Sequence, residues 1–373
     1  MTGLSRARDL GFPLQGAPGR WNAITDVPGV EVGYATVIEG DPGDTHVART
    51  GVTAVLPRGR AGAGTPVAAG TFSLNGNGEM TGRTWIDEAG MFSTPVAITN
   101  SHAVGAVHRG VDQWMDAHHP EASVQWMLPV VAETWDGYLN QINANHVTSD
   151  HAIAALDAAQ AGPLAEGNVG GGTGMNCYGF KGGSGTASRV VGYDDREYTV
   201  GVFLQANFGS RAEFTVAGKH LGAESAAPSP IEDGAWFVAE GERARPAPGA
   251  GSVIVVVATD APLLPGQCAA LARRVPLGLA RTGTTGGHFS GDIFLAFSTA
   301  NAGALVSNMA DARAVDTLSF IPWGRIDAFY AATVQAVEEA VLNALTAADD
   351  LAGREDHVSY SLPHDEVRAA FGQ

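Results

Sequence analysis

The sequence predicts an α/β protein, because strand-like and helix-like stretches alternate along its 373 residues. Apolar residues make up 45% of the chain and charged residues only 16%, against ~25% charged residues in a typical globular protein. This composition indicates a large buried core and excludes a disordered, collagen-like or coiled-coil protein. The length fits either two domains or one large α/β unit.

The N-terminal half contains several short strand signals and one clear helix signal. Short β-branched runs that end at turn residues predict strands over 30–37, 53–56 and 96–99. An alanine-rich stretch predicts a helix over 150–161, with Asp150 as its N-cap. The nine glycines of 167–189 predict irregular backbone. The two runs after it, 189–193 and 198–205, predict a hairpin.

The clearest shift in composition lies at 226–251, where four prolines stand among alanines, glycines and charged residues. Proline breaks helices and strands, so this stretch predicts an exposed connector with at most a short ordered centre around Trp236. The run 252–258 that follows predicts a strand buried on both faces. Helices over 266–280 and 326–345, with a strand over 292–298 between them, complete the prediction.

Charge and cysteine content limit the partners and the compartment. A net charge of −17 repels phosphate, so we expect no nucleic acid and no anionic membrane as a partner. Cys177 and Cys268 lack metal-binding spacing and predict buried thiols. The N-terminus lacks the apolar core of a secretion signal, and the longest apolar run is far shorter than the ~18 residues that span a membrane. We therefore expect a cytoplasmic protein.

Several common motifs are absent from the sequence. The segment 174–181 is similar to a phosphate loop, but Phe180 interrupts it and no Ser or Thr follows Lys181. No GxGxxG opens a helix, and Ser184 is not in a GxSxG elbow. The eleven histidines include no HExxH, although His102 and His288 lie beside polar clusters. We expect neither a metal nor a cofactor.

The junction between Gly251 and Ser252 has the features that an N-terminal nucleophile needs. A hydroxyl residue stands there at the first position of a buried strand, after a flexible connector. Cleavage before Ser252 would free an α-amine with a reference pKa of about 7.7–8.0, which can take the proton from its own hydroxyl. Glycine at position 251 would let the backbone adopt the geometry of self-cleavage. Such a serine can equally be an ordinary turn residue.

Other polar residues stand at strand ends and add candidates for the same site. Ser290 and Asp292 lie two positions apart, so a strand places them on one face, where they can hold a proton beside Ser252. Asn207 closes an apolar strand and could donate to an oxyanion. Glu133 follows an apolar run and could bind a substrate ammonium, or equally form a structural ion pair. The segment 75–79 is a turn by composition and could form a wall.

The sequence resembles the L-aminopeptidase/D-esterase and β-peptidyl aminopeptidase family of self-processing N-terminal nucleophile serine peptidases. The resemblance covers nearly the whole chain in order. Its matching stretches are 22–33, 75–82, 99–105, 129–137, 167–189, 205–209, 251–262, 276–283 and 290–301.

The resemblance implies a four-layer αββα sandwich of the N-terminal-nucleophile-like type, with ornithine-acetyltransferase-like topology. It implies one domain over 1–373 that cleaves itself into an α-chain, 1–251, and a β-chain, 252–373. These chains would stay together in a homotetramer of αβ units. The implied reaction releases one N-terminal residue from a short peptide, amide or ester with a free N-terminal amine, through an acyl-enzyme.

The same resemblance assigns roles to single residues. Ser252 is the nucleophile, supported by Ser290 and Asp292, while Asn207 contributes to the oxyanion hole. Glu133 binds the free amine of the substrate, and Trp135 belongs to the substrate-binding residues.

This chain departs from the family pattern at two positions. Trp135 stands where some members have a tyrosine, so no phenolic hydroxyl is available there. Asp292 stands where some β-peptide-cleaving members have glutamate, and the shorter carboxylate changes its reach.

Two alternatives remain open at the level of the sequence. One is an acyltransferase of the ornithine-acetyltransferase-like superfamily, although that family uses threonine where this chain has Ser252. The other is an unprocessed relative without catalytic activity.

Overall fold

The computed structural model describes residues 6–123, 126–234, 236, 251–307, 309 and 313–372. Two sheets carry most of its strands. The first sheet has the order β1-β2-β5-β6, in which β5 and β6 are parallel and the other pairs are antiparallel. Its strands are β1 (Glu31–Glu39), β2 (Ala48–Leu56), β5 (Val96–Asn100) and β6 (Val130–Thr134).

The second sheet has the order β4-β3-β12-β11-β10-β9, and only β11 and β12 are parallel in it. Its strands are β3 (Val67–Ser73), β4 (Met91–Phe92), β9 (Gly183–Tyr193), β10 (Arg196–Asn207), β11 (Ser252–Thr259) and β12 (Ile293–Ser298). Two short ladders lie outside both sheets. They pair β7 (Asn176–Cys177) with β8 (Phe180–Lys181), and β13 (Leu351–Ala352) with β14 (Val358–Ser359).

Helices cover the outer faces of the two sheets. The α-helices are α1 (Arg83–Ala89), α2 (Val104–His118), α3 (Pro120–Ser123), α4 (Ser149–Asp157), α5 (Leu221–Glu224), α6 (Pro230–Asp233), α7 (Pro265–Ala272), α8 (Val275–Ala280), α9 (Asp327–Thr346) and α10 (His364–Phe371). Short 3₁₀ helices lie at Ala7–Leu10, Ile24–Asp26, Arg60–Gly62, Ile142–Ala144, Gly170–Gly172, Arg211–Glu213, Trp323–Arg325 and Arg354–Asp356.

Three apolar clusters define the layers of the molecule. One cluster fills the space between the sheets, where Ile98 and Ala132 of the first sheet meet Phe203 and Ile254 of the second. A second cluster packs α2 and α4 on the outer face of the first sheet. A third packs α7, α8 and α9 on the outer face of the second sheet. This arrangement confirms the four-layer αββα sandwich that the resemblance implies.

At one end of the sandwich, the side chain of Gln205 near the C-terminus of β10 links the two sheets by hydrogen bonds. Its amide donates to the carbonyl of Thr99 at 3.1 Å and to the hydroxyl of Thr134 at 2.8 Å. The C-terminal ends of β5, β6 and β10 therefore lie beside the N-terminal ends of β11 and β12. The predicted polar residues lie together at this end of the sandwich.

Most predicted strands and the long C-terminal helix are confirmed within about two residues at their ends, but β2 and β9 begin at Ala48 and Gly183, well before their predicted starts. The β9–β10 hairpin turns at Asp194, whose backbone has a positive φ. Every residue of β11 is buried, as the continuous apolar run predicts. Both cysteines are free and buried.

The prediction of irregular backbone over 167–189 is wrong for its last third, because β9 begins at Gly183. Glycines in this strand allow close packing rather than turns. A Cβ added at Gly185 would lie 2.1 Å from the carbonyl oxygen of Ala340 on α9. Counting glycines does not distinguish a turn from a strand that lies directly against a helix.

Two predicted helices differ from the observed ones. The helix predicted over 150–161 is α4, which has Thr148 rather than Asp150 at the N-cap and ends at Asp157. It ends early because Gln160 pairs with Val32 of β1 through two backbone hydrogen bonds of 3.0 Å. The helix predicted over 266–280 divides into α7 and α8. Pro276 in the first turn of α8 has no N–H to continue the earlier helix.

The predicted connector 226–251 lies partly outside the described residues, which omit 235 and 237–250. The described part contains α6 and Trp236, whose indole donates to the carbonyl of Ile231 at 3.0 Å. Within the described residues, no helix is long and apolar enough to cross a membrane.

Candidate active site

Ser252 is the first residue of β11, and only 3% of its surface is exposed. It pairs directly with Asn207, the last residue of β10. Side chains of directly paired residues lie on the same face of a sheet, with Cβ atoms about 4.5–5.5 Å apart. The register therefore places the Asn207 and Ser252 side chains on the same face of the sheet.

Ser290 and Asp292 lie just before β12, which is parallel to β11. The Ser290 hydroxyl donates to Asp292 Oδ1 at 2.5 Å, and the same oxygen accepts the N–H of Val253 at 3.2 Å. Ser290 also forms a parallel bridge with Gly251. The structure thus brings the four predicted residues Ser252, Ser290, Asp292 and Asn207 to the start of β11.

Asn75 is a partner of Asp292 that the sequence did not single out. Its Nδ2 donates to Asp292 Oδ2 at 2.8 Å, and its Oδ1 accepts the N–H of Asp292 at 2.6 Å. It lies two residues after β3, which is antiparallel to β12. Burial raises the pKa of Asp292, while the hydrogen bonds from Ser290, Asn75 and Val253 oppose that rise.

The backbone N–H of Gly291 lies at the peptide bond that precedes Ser252. It is 3.1 Å from the carbonyl oxygen of Gly251 and 3.2 Å from Ser252 Oγ. Ser252 Oγ itself lies 2.7 Å from the same carbonyl oxygen. A nucleophile, a carbonyl and a donor to that carbonyl are therefore grouped together, an arrangement that sequence patterns do not reveal because the donor is backbone.

The orientation of the Asn207 amide is fixed from both ends. Its Oδ1 accepts the backbone N–H of Asn176 at 2.8 Å, and its Nδ2 donates to the carbonyl of Trp135 at 2.9 Å. A backbone N–H can only donate, so the amide oxygen must face Asn176. The second hydrogen on Nδ2 can then donate to an oxyanion.

Glu133 lies near the end of β6, and only 5% of its surface is exposed. The Ser101 hydroxyl donates to its Oε2, and the N–H of Glu79 donates to its Oε1 at 2.9 Å. No Lys, Arg or His of the described residues forms an ion pair with it. Burial raises its pKa, although the hydrogen bonds from Ser101 and Glu79 oppose this.

Gly78 packs between the Glu133 carboxylate and Gly291 of the reaction centre. A Cβ added there would lie 3.2 Å from Glu133 Oε1 and 2.8 Å from the Cα of Gly291. Only a residue without a side chain lets the turn approach both. The turn predicted over 75–79 therefore does more than form a wall, since it also contacts Asp292 and Glu133.

Trp135 is 36% exposed and contributes its backbone carbonyl to Asn207. Its ring stacks on Trp236, with centroids 6.1 Å apart, and Trp236 in turn contacts the ring of Tyr138 at 5.2 Å. This aromatic cluster borders the site. The indole of Trp236 faces Ile231 rather than the reacting residues.

The two histidines noted in the sequence have no bond to the reaction centre among the described contacts. His102 bonds to Asn143 Oδ1 at 2.7 Å, and His288 contacts the ring of Phe289. Across the part of the chain that the structure describes, no group of three or more His, Cys, Asp or Glu side chains forms a metal-binding cluster.

Comparisons with known proteins agree with this site. The profile of Peptidase family S58 matches residues 22–359. The chain is 50% identical to the β-peptidyl aminopeptidase BapA of Sphingosinicella microcystinivorans, over 98% of this chain and 91% of that protein. It is 45% identical to the protein of the same name from Sphingosinicella xenopeptidilytica, over 97% of this chain and 90% of that protein.

This chain belongs to peptidase family S58. A solved structure of the L-aminopeptidase D-Ala-esterase/amidase of Ochrobactrum anthropi, described as a prototype of the serine aminopeptidases and a variant of the Ntn hydrolase fold, matches it with a TM-score of 0.89. The two are 44% identical, and the match covers 99% of this chain and 98% of that one. The protein is therefore an aminopeptidase with the N-terminal nucleophile hydrolase fold, as the sequence resemblance predicts.

Proposed function

We propose that this S58 peptidase cleaves its own chain between Gly251 and Ser252 and then uses the free Ser252 as its nucleophile. The observation that supports this most strongly is the grouping of Ser252 Oγ, the Gly251 carbonyl and the Gly291 N–H within 3.2 Å of one another. The Gly291 N–H is a ladder donor of the parallel Gly251–Ser290 bridge, so the bond that extends the sheet also polarises the carbonyl that Ser252 Oγ would attack.

Self-cleavage proceeds by transfer of the acyl group from nitrogen to oxygen. Ser252 Oγ bonds to the carbonyl carbon of Gly251, and its proton passes to the Ser252 nitrogen as the peptide C–N bond breaks. The Gly291 N–H stabilises the negative charge on the carbonyl oxygen during this step. Water then hydrolyses the ester, which leaves a carboxylate on Gly251 and a free amine on Ser252.

In turnover, the Ser252 amine takes the proton from its own Oγ as that oxygen attacks the substrate carbonyl. The Ser290–Asp292 pair holds hydrogen bonds beside this centre, and the buried Asp292 supports the positive charge that develops on the amine. Asn207 Nδ2 and the Gly291 N–H donate to the oxyanion. The Ser252 ammonium then gives this proton to the leaving nitrogen or oxygen of the substrate as the scissile bond breaks, which forms the acyl-enzyme. Water hydrolyses the acyl-enzyme and releases the N-terminal residue.

Glu133 binds the ammonium group of the substrate. Its carboxylate is buried and hydrogen-bonded to Ser101 and Glu79, but has no ion-pair partner among the described residues. An ammonium placed there forms a charge-assisted pair at a short distance from Gly291. This explains why the enzyme would require a free N-terminal amine.

The substrates that we propose are short peptides, amides and esters, including those with an N-terminal β-amino acid. The names of the two Sphingosinicella relatives and of the Ochrobactrum enzyme support this range. Trp135 borders the substrate position with an indole ring and supplies no phenolic hydroxyl. We also propose a homotetramer of αβ units, on the basis of the family resemblance, and a cytoplasmic location, on the basis of the sequence.

The experiment that tests this function compares matched substrates that differ only at the amine. A β-alanyl dipeptide, an L-alanyl dipeptide and D-alanine amide are each offered in the free and the N-acetylated form. We expect release of the first residue from free-amine forms only. Equal release from the acetylated forms would contradict the role of Glu133, and no release from any of the compounds would contradict the proposed substrates.

A further inference from the structure

Lys181 is a completely buried lysine near the reaction centre, with 0% of its surface exposed. It lies on β8 and forms no ion pair with a carboxylate among the described residues. Its ammonium instead donates to three backbone carbonyls, those of Gly172 at 3.3 Å, Met175 at 2.9 Å and Gly182 at 2.8 Å. Burial lowers the pKa of Lys181 to about 7, so the ammonium is only partly charged at neutral pH, and the three acceptors favour its charged form.

The three carbonyls belong to the backbone that holds Asn176. The N–H of Gly182 donates to the carbonyl of Met175 at 2.9 Å, which closes the loop around the Lys181 ammonium. Asn176, the next residue, pairs with Lys181 in the β7–β8 ladder. Its N–H is the donor to Asn207 Oδ1. Lys181 thus fixes the backbone that sets the orientation of the Asn207 amide.

The orientation of this amide matters because its two ends have opposite functions. With Oδ1 on the Asn176 N–H, Nδ2 is directed to the Trp135 carbonyl and can donate to the oxyanion. If Asn176 moved away, the amide could rotate by half a turn. An oxygen in place of Nδ2 would then repel the developing negative charge instead of stabilising it.

We infer that Lys181 is a positioning residue for catalysis, which acts through Asn176 to hold the Asn207 amide in its donating orientation. This inference rests on the proposed oxyanion role of Asn207. It assigns a function to the buried cation and to the first part of the glycine-rich segment, where Gly172 and Gly182 allow the backbone to surround one ammonium group.

The C-terminal segment supports the same ladder from its other side. The Ser359 hydroxyl donates to the side-chain Oδ1 of Asn176, and the N–H of Lys181 donates to the carbonyl of Tyr360 at 2.7 Å. Ser359 contacts Asn176 without contacting the reacting residues. It therefore offers a second and milder way to disturb the position of Asn176.

The test is a double-mutant cycle between Lys181→Met and Asn207→Ala, measured as kcat and KM of the processed enzyme on a free-amine dipeptide. Removal of an oxyanion donor costs ~10²–10³-fold in kcat, so we expect Asn207→Ala to fall in this range. Lys181→Met should lower kcat at least tenfold, with KM changed less than twofold. In the Asn207→Ala background, Lys181→Met should lower kcat less than twofold further.

Arg58→Met is the control, because the Arg58 guanidinium is also held by backbone carbonyls but lies beyond the C-terminal end of β12, away from the β7–β8 ladder. It donates to the carbonyls of Pro66 at 3.2 Å, Thr299 at 2.9 Å and Ala300 at 3.3 Å. Its loss should lower the melting temperature, while kcat stays within about threefold. Lys181→Gln, which keeps donors without the charge, should recover part of the lost kcat.

If Lys181→Met does not fold or mature, Ser359→Ala tests the same inference. It should lower kcat a few-fold in the native background and have no effect in the Asn207→Ala background. Equal losses in both backgrounds, for either variant, would overturn the positioning role while leaving the proposed function intact. A fully active Asn207→Ala variant would overturn both the oxyanion assignment and the inference that depends on it.

Discussion

Glu133 and Glu339 are two buried glutamates with opposite surroundings. Glu339 on α9 has 0% of its surface exposed and accepts from Arg189 at 2.6 Å, from Arg8 at 2.8 Å and from Asn22 at 2.5 Å. Burial alone would raise its pKa, but the hydrogen bond from Arg8 and the charge of Arg189 lower it. Glu133 accepts from a hydroxyl and a backbone N–H, and burial raises its pKa overall, although these bonds and the charge of His102 lower it.

This difference separates a carboxylate that stabilises the fold from one that is available to a ligand. Glu339 has its cations within the chain, so it joins the N-terminal segment to β9 and α9. The Glu133 carboxylate has donors that hold it in place, but the charge that would balance it has to come with the substrate. Substitution of Glu133 should therefore change mainly activity, and substitution of Glu339 should change mainly stability.

Ser252→Ala should have the largest effect on activity. We expect one full-length chain and a loss of hydrolysis of more than ~10³-fold, because both self-cleavage and turnover need this hydroxyl. Intact mass and dipeptide hydrolysis measure the two effects. Ser298→Ala on the neighbouring strand β12 is the control, since this buried hydroxyl donates only to Ala261 at 2.6 Å. A normally processed Ser252→Ala chain would be incompatible with self-cleavage.

Glu339→Gln should have the largest effect on stability. Removing one partner of a buried ion pair costs ~3–5 kcal/mol, because the two arginines are left without their counter-charge. Chemical denaturation measures this loss, and kcat per folded enzyme should not change. The contribution of Glu339 should be present above its unfolded pKa and decrease as the pH falls through its lowered folded pKa. A loss of kcat without a loss of stability would contradict the comparison.

Glu133→Gln should show the reverse behaviour. We expect KM for free-amine dipeptides to rise by ~10–100-fold, since a charge-assisted hydrogen bond contributes about 1.5–3 kcal/mol. The melting temperature at neutral pH should stay equal or rise, because the amide removes a buried charge whose pKa is raised. An N-acetylated dipeptide, measured as a competitive inhibitor, serves as the control. If its inhibition constant rises as much as the KM of the free-amine dipeptide, Glu133 does not act on the ammonium group.

The smallest expected effect is the pH dependence of turnover. The free Ser252 amine must be neutral to accept a proton, so kcat should rise with pH through ~7–8 if its pKa is near the reference value. At acidic pH, protonation of Glu133 should raise KM for free-amine substrates. Because burial raises the pKa of Glu133, this rise should begin at a higher pH than an ordinary glutamate would give. A kcat that stays constant across the pH range in which the Ser252 amine should titrate would indicate that another group acts as the base.

The sequence predicts the reaction centre better than its surroundings. Ser252 was a candidate because a hydroxyl at the first position of a buried strand is a local pattern, and Ser290 and Asp292 because strands have a period of two. Their roles were implied by the family resemblance. Asn75 was predicted only as part of a turn, because it lies far from Asp292 in sequence and the two meet only when β3 pairs with β12. The Gly291 N–H and the acceptors of Lys181 are backbone groups, which no residue pattern marks. Glycine-rich stretches remained ambiguous for the same reason, since Gly185 serves packing and Gly78 serves a close approach.

The central claim is that the chain makes its own catalytic amine at Ser252, and intact mass under denaturing conditions tests it most directly. The account predicts two species, whose masses correspond to residues 1–251 and 252–373. The second species should begin with the sequence Ser-Val-Ile. Ser252→Ala, purified in parallel, should give one species. A single full-length chain that hydrolyses dipeptides, or a break at another bond in the active enzyme, would contradict it.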